Sequence, residues 1–235
     1  MIDIHSHFLP CVDDGPKSLA GSVAIVRKLM AQGVTDIIAT PHYVADTNYV
    51  SPKAQNQRVL SVVKKTLEKE GVKVNLYLGN EIYIDNNILG LLKSGKISGL
   101  NGSRYLLVEL PLDEEYPNYK DILRDLKDAG GKVILAHPER YAIIQKDFEV
   151  AKELYAAGVL LQCNIASILG KYGKGAKKTV KKLIKNKMVF TFGSDIHHAG
   201  QKDEILLAQK KLSKYYSEHE LQQLLVKNPS RIIAA

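Results

Sequence analysis

Short apolar runs alternate along the chain with longer segments in which apolar residues recur at helical spacing. Seven runs bounded by polar turns predict β-strands at residues 1–4, 36–39, 74–79, 105–110, 132–136, 159–163 and 188–192. Helical spacing predicts helices at residues 18–32, 52–70, 87–94, 119–129, 147–157, 176–186 and 203–216. This alternation predicts an α/β protein with a parallel sheet, either a barrel or a doubly wound layer.

Polar residues that can bind metals follow these strands at their carboxyl ends. Six of the seven predicted strands end in, or are followed by, a histidine, aspartate or glutamate. In a β/α barrel all of these ends meet at one mouth, whereas an open sheet brings together only those near its switch point. The pattern therefore favours a barrel. Nine candidate ligands would lie at its mouth: His5, His7, Asp14, His42, Glu81, Glu109, His137, Asp195 and His197.

The number and type of these candidates indicate more than one metal ion. His5 and His7 lie two residues apart, so a strand would point both imidazoles to the same face. Nine ligands exceed the four of a tetrahedral zinc site and the roughly six of octahedral metals, so two or three ions would share them. Nitrogen and oxygen donors without cysteine suit manganese, iron or zinc in a hydrolytic centre.

Structural roles are the alternative for single members of this set. His42 follows Thr40-Pro41 and could belong to a turn, and Glu109 could be a surface carboxylate at a strand end. The recurrence of such residues after six strands favours the metal site over these separate explanations. His198 and His219 fall outside the pattern, and we assign both to the surface.

Arg140 gives a clue to the substrate. It follows His137 by three residues, so the turn that delivers a candidate ligand also delivers a guanidinium. The planar guanidinium, beside a cationic centre, can donate two hydrogen bonds to two oxygens of a phosphate. The alternative role for Arg140 is a salt bridge to Glu139 or another acid. The pattern predicts hydrolysis of a phosphate ester by a metal-bound hydroxide, with the ions also neutralising charge on the phosphoryl group.

Composition narrows the class of protein. The 235 residues, 45% hydrophobic and 25% charged, predict one domain that spans residues 1–235. No apolar run approaches the roughly 20 residues that cross a bilayer, and no signal peptide is evident, so we expect a cytoplasmic protein without membrane insertion. Cys11 and Cys163 lie far apart, which supports neither a disulfide framework nor a thiolate zinc site.

The net charge of +8 raises the question of nucleic-acid binding. Much of the excess lies at residues 174–187, where Val180, Leu183 and Ile184 recur at helical spacing, as is typical of a solvated amphipathic helix. The chain has no Trp and four Phe, so it offers little aromatic surface on which bases could stack. Nucleic acid is therefore a disfavoured partner.

The motifs together resemble those of the PHP (polymerase and histidinol phosphatase) superfamily. Within it they look like the bacterial CpsB/CapC type of tyrosine-protein phosphatase, which is associated with capsular and exopolysaccharide synthesis. The resemblance covers the whole chain, including the stretch 169–178 and the late Asn228-Pro229. Its most specific motifs are Asp3-Ile-His-Ser-His7, Ala39-Thr-Pro-His42, Leu78-Gly-Asn-Glu81, Val108-Glu109, Ala136-His-Pro-Glu-Arg140 and Ser194-Asp-Ile-His197.

This resemblance implies a distorted seven-stranded TIM-like barrel and a trinuclear site, with manganese as the expected metal and iron, zinc or magnesium as alternatives. It implies a catalytic part for Arg140, His42 and His197, with Arg140 binding the substrate phosphate. It leaves Asp13 as a turn residue or as a residue that supports a ligand from behind. The implied ligands are His5, His7, Glu81 and Asp195 for one ion, Glu81, Glu109 and His137 for a second, and Asp14, His42 and His197 for the third.

The sequence departs from this family after its last ligand motif. Family members often carry a second phosphate-binding arginine there, whereas His197 is followed by His-Ala-Gly-Gln-Lys202. We hypothesise that Lys202 takes the place of that arginine as a phosphate-binding point charge, without its bidentate fork.

The function that the resemblance implies is hydrolysis of phosphotyrosine, with the tyrosine-rich tail of a bacterial tyrosine kinase as the expected partner. The oligomeric state stays open. One alternative is a phosphatase of the same superfamily with a small substrate such as histidinol phosphate. A second alternative, of another class, is a basic nucleic-acid-binding module whose metal site is vestigial.

Overall fold

The strands of this protein run parallel to the strands they pair with. The structure is a computed structural model and describes residues 1–50, 52–201 and 204–234. In those residues one sheet has the order β1-β2-β4 and a second has the order β3-β5-β6-β7-β8-β9. The strands are β1 (Ile2–Ser6), β2 (Asp36–Ala39), β3 (His42–Tyr43), β4 (Asn75–Leu78), β5 (Glu81–Tyr83), β6 (Tyr105–Glu109), β7 (Lys132–Ala136), β8 (Leu160–Asn164) and β9 (Val189–Gly193).

Helices connect successive strands except between β2 and β3 and between β4 and β5, and further helices follow β9. They are α1 (Leu19–Ala31), α2 (Lys53–Lys69), α3 (Ile88–Lys93), α4 (Tyr119–Asp128), α5 (Ala142–Lys146), α6 (Glu149–Ala156), α7 (Gly173–Lys185), α8 (Ile205–Leu212), α9 (Glu218–Gln222) and α10 (Asn228–Ile233). The predicted α/β class is confirmed, and each predicted strand and helix overlaps an observed one. The short helices α5, α9 and α10, of five or six residues each, were not predicted.

Of the predicted distorted barrel of seven strands, the structure shows the parallel α/β arrangement but no closed barrel among the described residues. Two of the predicted strands are each followed by a short strand that was not predicted, β3 after an interruption at Thr40-Pro41 and β5 after an interruption at Gly79-Asn80. Pro41 has no N–H to donate to a ladder, which accounts for the first break. Between β1 and the residues after β9 there is only an isolated bridge, Ser6 to Ile196, in place of a ladder. The described strands therefore form two sheets without closing.

The two faces of the strands pack into different hydrophobic clusters. Neighbouring residues such as Ile37 and Ile38, or Val133 and Ile134, belong to different clusters, as the alternation of side chains along a strand requires. The larger cluster includes the apolar sides of the helices, and the smaller one includes Ile232 of α10. Glu81 pairs in register with Leu107 of the smaller cluster, so the candidate ligands extend this inner face.

Helix α7 carries the basic segment at residues 174–187. Its buried residues are Ala176, Thr179, Val180, Leu183 and Ile184, and the remaining positions are lysines apart from Gly173 and Gly175. The prediction of an amphipathic surface helix is therefore confirmed.

Among the helices in the described part of the chain, none has the length and apolar character needed to cross a membrane.

Tyr141 ties the ends of two strands together beneath the candidate site. It is fully buried, and its hydroxyl donates to Ala136 O (2.8 Å) while it accepts from Leu110 N (3.0 Å). Tyr141→Phe would leave both buried backbone groups without this partner, so we expect a loss of about 1–3 kcal/mol in the free energy of unfolding, measured by urea denaturation. Tyr155→Phe is the control because Tyr155 is 47% exposed; an equal loss in both variants would contradict the prediction.

Candidate metal centre and active site

A cleft of about 850 Å³ opens at the carboxyl ends of the strands. Arg140 lines it together with six of the nine predicted ligands, which are Asp14, His42, Glu109, His137, Asp195 and His197. The other three, His5, His7 and Glu81, are at most 1% exposed and lie at its base. The structure thus brings all nine candidates to one place, although they are spread over almost two hundred positions of the chain.

Glu81 lies at the centre of the group. Its Oε2 is 3.1 Å from His5 Nε2, 3.2 Å from His7 Nε2 and 3.1 Å from His42 Nδ1, and its Oε1 is 3.0 Å from His137 Nε2. Burial acts to raise the pKa of Glu81, but the neighbouring His5 and His42 outweigh burial and hold that pKa well below its usual range. Glu81 is therefore a carboxylate that faces four imidazoles.

Asp14 and Glu109 complete the group on the side of the solvent. Asp14 Oδ1 is 3.3 Å from His197 Nε2 and 3.6 Å from His42 Nε2, and Glu109 Oε1 is 3.5 Å from His137 Nε2. Partial burial acts to raise the pKa of Asp14, but the neighbouring His197 and His42 outweigh burial and lower that pKa to about 2. Burial and the charge of Glu81 hold the pKa of Glu109 well above its usual range. This crowding of carboxylates favours the binding of cations.

Hydrogen bonds at the far side of two imidazoles direct their lone pairs into the centre. His5 Nδ1 is 2.7 Å from Gln162 Oε1, and His7 Nδ1 is 2.8 Å from Asp13 Oδ2. A neutral imidazole that donates from Nδ1 to such an oxygen keeps the lone pair of its Nε2 for a cation. These two Nε2 atoms lie 3.2 Å apart and face Glu81 Oε2. Three acceptors that converge in this way fit a bound cation.

The donor atoms form three overlapping groups, and within each group they lie no more than 4.8 Å apart. The groups are His5, His7 and Glu81; His42, Glu81 and Glu109; and His7, Asp14, His42 and His197. This division resembles the one that the sequence predicts, with Glu81 shared between two groups. It differs in that His42 takes the place of His137 beside Glu109 and His7 joins Asp14. Among the described residues, the predicted ligands Asp195 and His137 fall in none of the three groups. The residues present therefore fit several divalent ions, while the role of each as a ligand stays a prediction.

The backbone of the site is held in an uncommon conformation. His137 and Asp195 have φ values of 32° and 52°, in the left-handed region that residues other than glycine seldom adopt. Such strain is typical of functional sites, where the surrounding structure fixes it. Asp3 provides part of that support, because its Oδ1 accepts from Ser194 N (2.9 Å) and joins β1 to the turn that presents Asp195.

Arg140 lies at the wall of the cleft between an acid and an aromatic ring. Its Nη1 donates to Asp195 Oδ2 (2.8 Å), and its guanidinium carbon is 4.7 Å from the centre of the Tyr172 ring. Of the acids that the sequence leaves open as partners of Arg140, the structure pairs it with Asp195 and not with Glu139. Glu139 is buried and instead accepts from Asn164 N and Ser167 Oγ. The guanidinium is thus held in one plane beside the ligands.

Three residues lie next to the ligands, and two of them, Gln162 and Asn164, were not predicted as parts of the site. Asp13 Oδ2 accepts from His42 N (3.2 Å) as well as from the His7 ring, and Gln162 and Asn164 lie behind His5 and Asp195. The signal for the last two is a pair of amides two residues apart in an otherwise apolar strand, which places both on one face. Lys202, the hypothesised phosphate-binding residue, lies outside the described residues.

Competition between protons and metal at this centre should make stability depend on pH. Burial acts to lower the pKa of His7, but Asp13 and Glu81 outweigh it and raise that pKa well above its usual value of about 6.5. A raised pKa in the folded state gives stability that is complete below about pH 6.5 and is lost as pH rises through the folded-state value. We therefore expect the Tm of the chelated protein to fall as pH rises above about 6.5.

The manganese-loaded protein should not show this fall, because a bound metal requires neutral imidazoles. Scanning fluorimetry with and without chelator would measure the difference in Tm, which we expect to widen as pH rises. His219→Ala is the control, since His219 is exposed on α9. A difference in Tm between the manganese-loaded and the chelated protein that stays constant as pH rises above about 6.5 would contradict the prediction.

The fold and the site together define a parallel α/β protein with a histidine–carboxylate centre suited to divalent metals. The model of the capsular polysaccharide synthesis family CpsB/CapC matches residues 1–234. The chain belongs to this family, which confirms the family that the sequence motifs indicate.

Two relatives and one solved structure show the extent of the similarity. CapC of Staphylococcus aureus, named as a tyrosine-protein phosphatase, is 35% identical over 224 residues, which are 94% of this chain and 87% of that protein. The tyrosine-protein phosphatase YwqE of Bacillus subtilis is 32% identical over 84% of this chain and 78% of its own. A structure from work on YwqE and on CpsB from Streptococcus pneumoniae, described as unique metal-dependent tyrosine phosphatases, has a TM-score of 0.92 with 28% identity. It covers 100% of this chain and 94% of that one.

Proposed function

We propose that this protein is a metal-dependent tyrosine-protein phosphatase whose residues 1–235 form a single catalytic domain. The observation that carries the proposal is the position of Glu81, which faces four imidazoles at the base of a cleft that Arg140 lines. The names of the relatives support the reaction class. The match to the family model over residues 1–234 supports a role in capsular or exopolysaccharide synthesis.

The nine candidate residues would hold up to three divalent ions, with manganese as the first choice. His5, His7, Glu81 and Asp195 would hold one ion at the base of the cleft, and the remaining five residues would hold ions nearer to solvent, with Glu81 shared. Bound ions of this kind lower the pKa of a water molecule and neutralise charge on a transferring phosphoryl group. The imidazole lone pairs and the ionised Glu81 are the groups that make the site able to take them.

The residues at the cleft surface would bind and orient the phosphate. Arg140 presents a guanidinium that Asp195 and the Tyr172 ring hold in place, and it would bind the phosphate oxygens. His42 and His197, which also line the cleft, would hold an ion against the phosphoryl group. A tyrosine phenolate leaves fairly readily, with a pKa of about 10, so the leaving group needs little help from a protein acid.

Phosphotyrosine in the tail of a bacterial tyrosine kinase is the substrate that we propose. The cleft is open, and Tyr49 and Tyr83 contribute to its wall, so a flexible peptide could present a phenyl phosphate to the centre. The net charge of +8 would attract a phosphorylated acidic segment.

The test is a substrate panel on the purified protein loaded with manganese. We expect turnover of phosphotyrosine peptides that falls to background on addition of chelator and returns on addition of manganese. Phosphoserine peptides, histidinol phosphate and single-stranded DNA complete the panel. Turnover that chelator does not change would overturn the metal mechanism. A preference for histidinol phosphate would overturn the substrate, and tight DNA binding without phosphatase activity would favour a nucleic-acid-binding module.

A further inference from the structure

Strand β8 carries no predicted metal ligand, yet it places two buried amides behind the centre. Gln162 and Asn164 are both 0% exposed. They lie two residues apart in β8, and Gln162 Nε2 donates to Asn164 Oδ1 (3.1 Å). These two side chains, the amide pair, are neither candidate metal ligands nor part of the cleft lining.

Each end of the amide pair contacts a candidate ligand of the same ion. At one end, Gln162 Oε1 is 2.7 Å from His5 Nδ1. At the other end, Asn164 Nδ2 donates to Asp195 Oδ2 (2.6 Å), the oxygen that also accepts from Arg140 Nη1. His5 Nε2 and Asp195 Oδ1 lie 3.5 Å apart on the inner side. A continuous chain of hydrogen bonds therefore runs behind the centre from Asp195 to His5.

The direction of every bond in this chain follows from the carboxylate. Asp195 beside Arg140 is ionised and can only accept, so Asn164 must turn its NH2 group towards it. The carbonyl oxygen of Asn164 then faces Gln162, which must turn its own NH2 group to that oxygen. Gln162 is left with its carbonyl oxygen towards His5. The His5 ring must then carry its proton on Nδ1, which leaves the lone pair of Nε2 for the metal.

The backbone around the amide pair leaves room for this contact. A Cβ atom added at Gly193 would lie 2.8 Å from His5 Cβ and 3.0 Å from Gln162 Nε2, closer than side chains normally approach. Gly193 pairs in register with Asn164, so β9 brings its glycine to the point where His5 and Gln162 meet. The absence of a side chain at that position allows the amide pair to reach His5.

We propose that Gln162 and Asn164 are positioning residues that fix the tautomer of His5 through its hydrogen bond and align that ring with Asp195 for metal binding. The inference rests on the proposed metal centre and does not depend on the substrate. Hydrogen bonds behind metal-binding histidines typically change metal affinity by about 10- to 100-fold when they are removed. Asn164 does not contact His5, so its effect on His5 must pass through Gln162.

The test uses the full chain and two measurements that do not involve catalysis. Nitrogen-15 NMR of the histidine rings in the chelated protein, at an alkaline pH where His5 is neutral, reports which ring nitrogen carries the proton. Calorimetric titration with Mn²⁺ reports metal affinity. The variants are Gln162→Met and Asn164→Leu, which keep the approximate volume and remove the hydrogen bonds. The control is Thr191→Val, since Thr191 is buried in β9 and its hydroxyl donates to Leu224 O (2.8 Å).

We expect wild-type His5 to be the Nδ1–H tautomer and both variants to contain a mixture of tautomers, with Mn²⁺ affinity about 10- to 100-fold lower. Thr191→Val should change neither measurement. Native tautomer and native affinity in Asn164→Leu would overturn the inference. So would a wild-type His5 protonated mainly on Nε2, a result that needs no variant to fold. A wild-type protein that binds no Mn²⁺ would instead overturn the proposed function and leave the tautomer result standing.

Discussion

Replacement of Glu81 by glutamine should abolish metal binding and lower kcat/KM by about 10³-fold or more. The carboxylate is the charge that four imidazoles face at 3.0–3.2 Å, and no other acid of the site contacts so many of them. Glutamine keeps the shape but presents a neutral amide, so any ions shared at this position lose the group that holds them together. Metal analysis after gel filtration would give the manganese content, and a phosphotyrosine peptide would give the kinetics.

Two further variants test whether the loss of metal and activity is specific to Glu81. Glu109→Gln should cause a smaller loss, because Glu109 contacts its imidazoles at 3.5–3.6 Å and burial beside Glu81 already weakens its ionisation. Glu68→Gln, at an exposed position of α2, should retain full metal content and activity. Circular dichroism would establish that the fold is kept in each variant. A Glu81→Gln protein with wild-type manganese content would contradict the shared role of Glu81.

The path of the chain was largely predictable from the sequence, and the closure of the sheet was not. The apolar runs predicted β2 and β7 with the same first and last residues as the structure shows. Strands that are buried on both faces have continuous apolar runs, which makes them easy to locate in a sequence. The short strands β3 and β5 were missed because each follows an interruption and contains a polar candidate ligand, His42 or Glu81. Whether a ladder continues across such an interruption depends on backbone hydrogen bonds that residue types alone do not specify.

The site was predictable to the extent that topology determines it. Parallel strands align their carboxyl ends, so residues as distant as His5 and Asp195 could be placed together from the strand pattern alone. The groups that orient the ligands were harder to predict. Asp13 looks like one half of an Asp-Asp-Gly turn, and Gln162 and Asn164 look like isolated polar residues of a core strand. Their role depends on which atom faces which ring nitrogen, and that is a property of the packed structure.

Replacement of Arg140 by methionine should lower kcat/KM for a phosphotyrosine peptide by about 10²- to 10³-fold while leaving manganese bound. The guanidinium lies at the cleft wall, 2.8 Å from Asp195, and is stacked on the Tyr172 ring, which fixes its plane before substrate arrives. Methionine keeps much of the length of the side chain and removes the donors to the phosphate oxygens. Because none of the predicted ligands changes, the loss should appear in both KM and kcat, with the metal content intact.

The Arg140→Lys variant tests whether the positive charge at this position is enough, or whether the two parallel N–H groups of the guanidinium are needed. A lysine retains the positive charge beside Asp195 but is a point charge that cannot offer two parallel N–H bonds. We expect its kcat/KM to lie between those of the wild type and Arg140→Met. The matched control is Arg27→Lys, since Arg27 also pairs with a carboxylate at 2.8 Å, that of Glu70, but does so on the surface. Arg140→Lys with wild-type kcat and KM would show that the charge alone suffices, and the bidentate role of Arg140 would then be wrong.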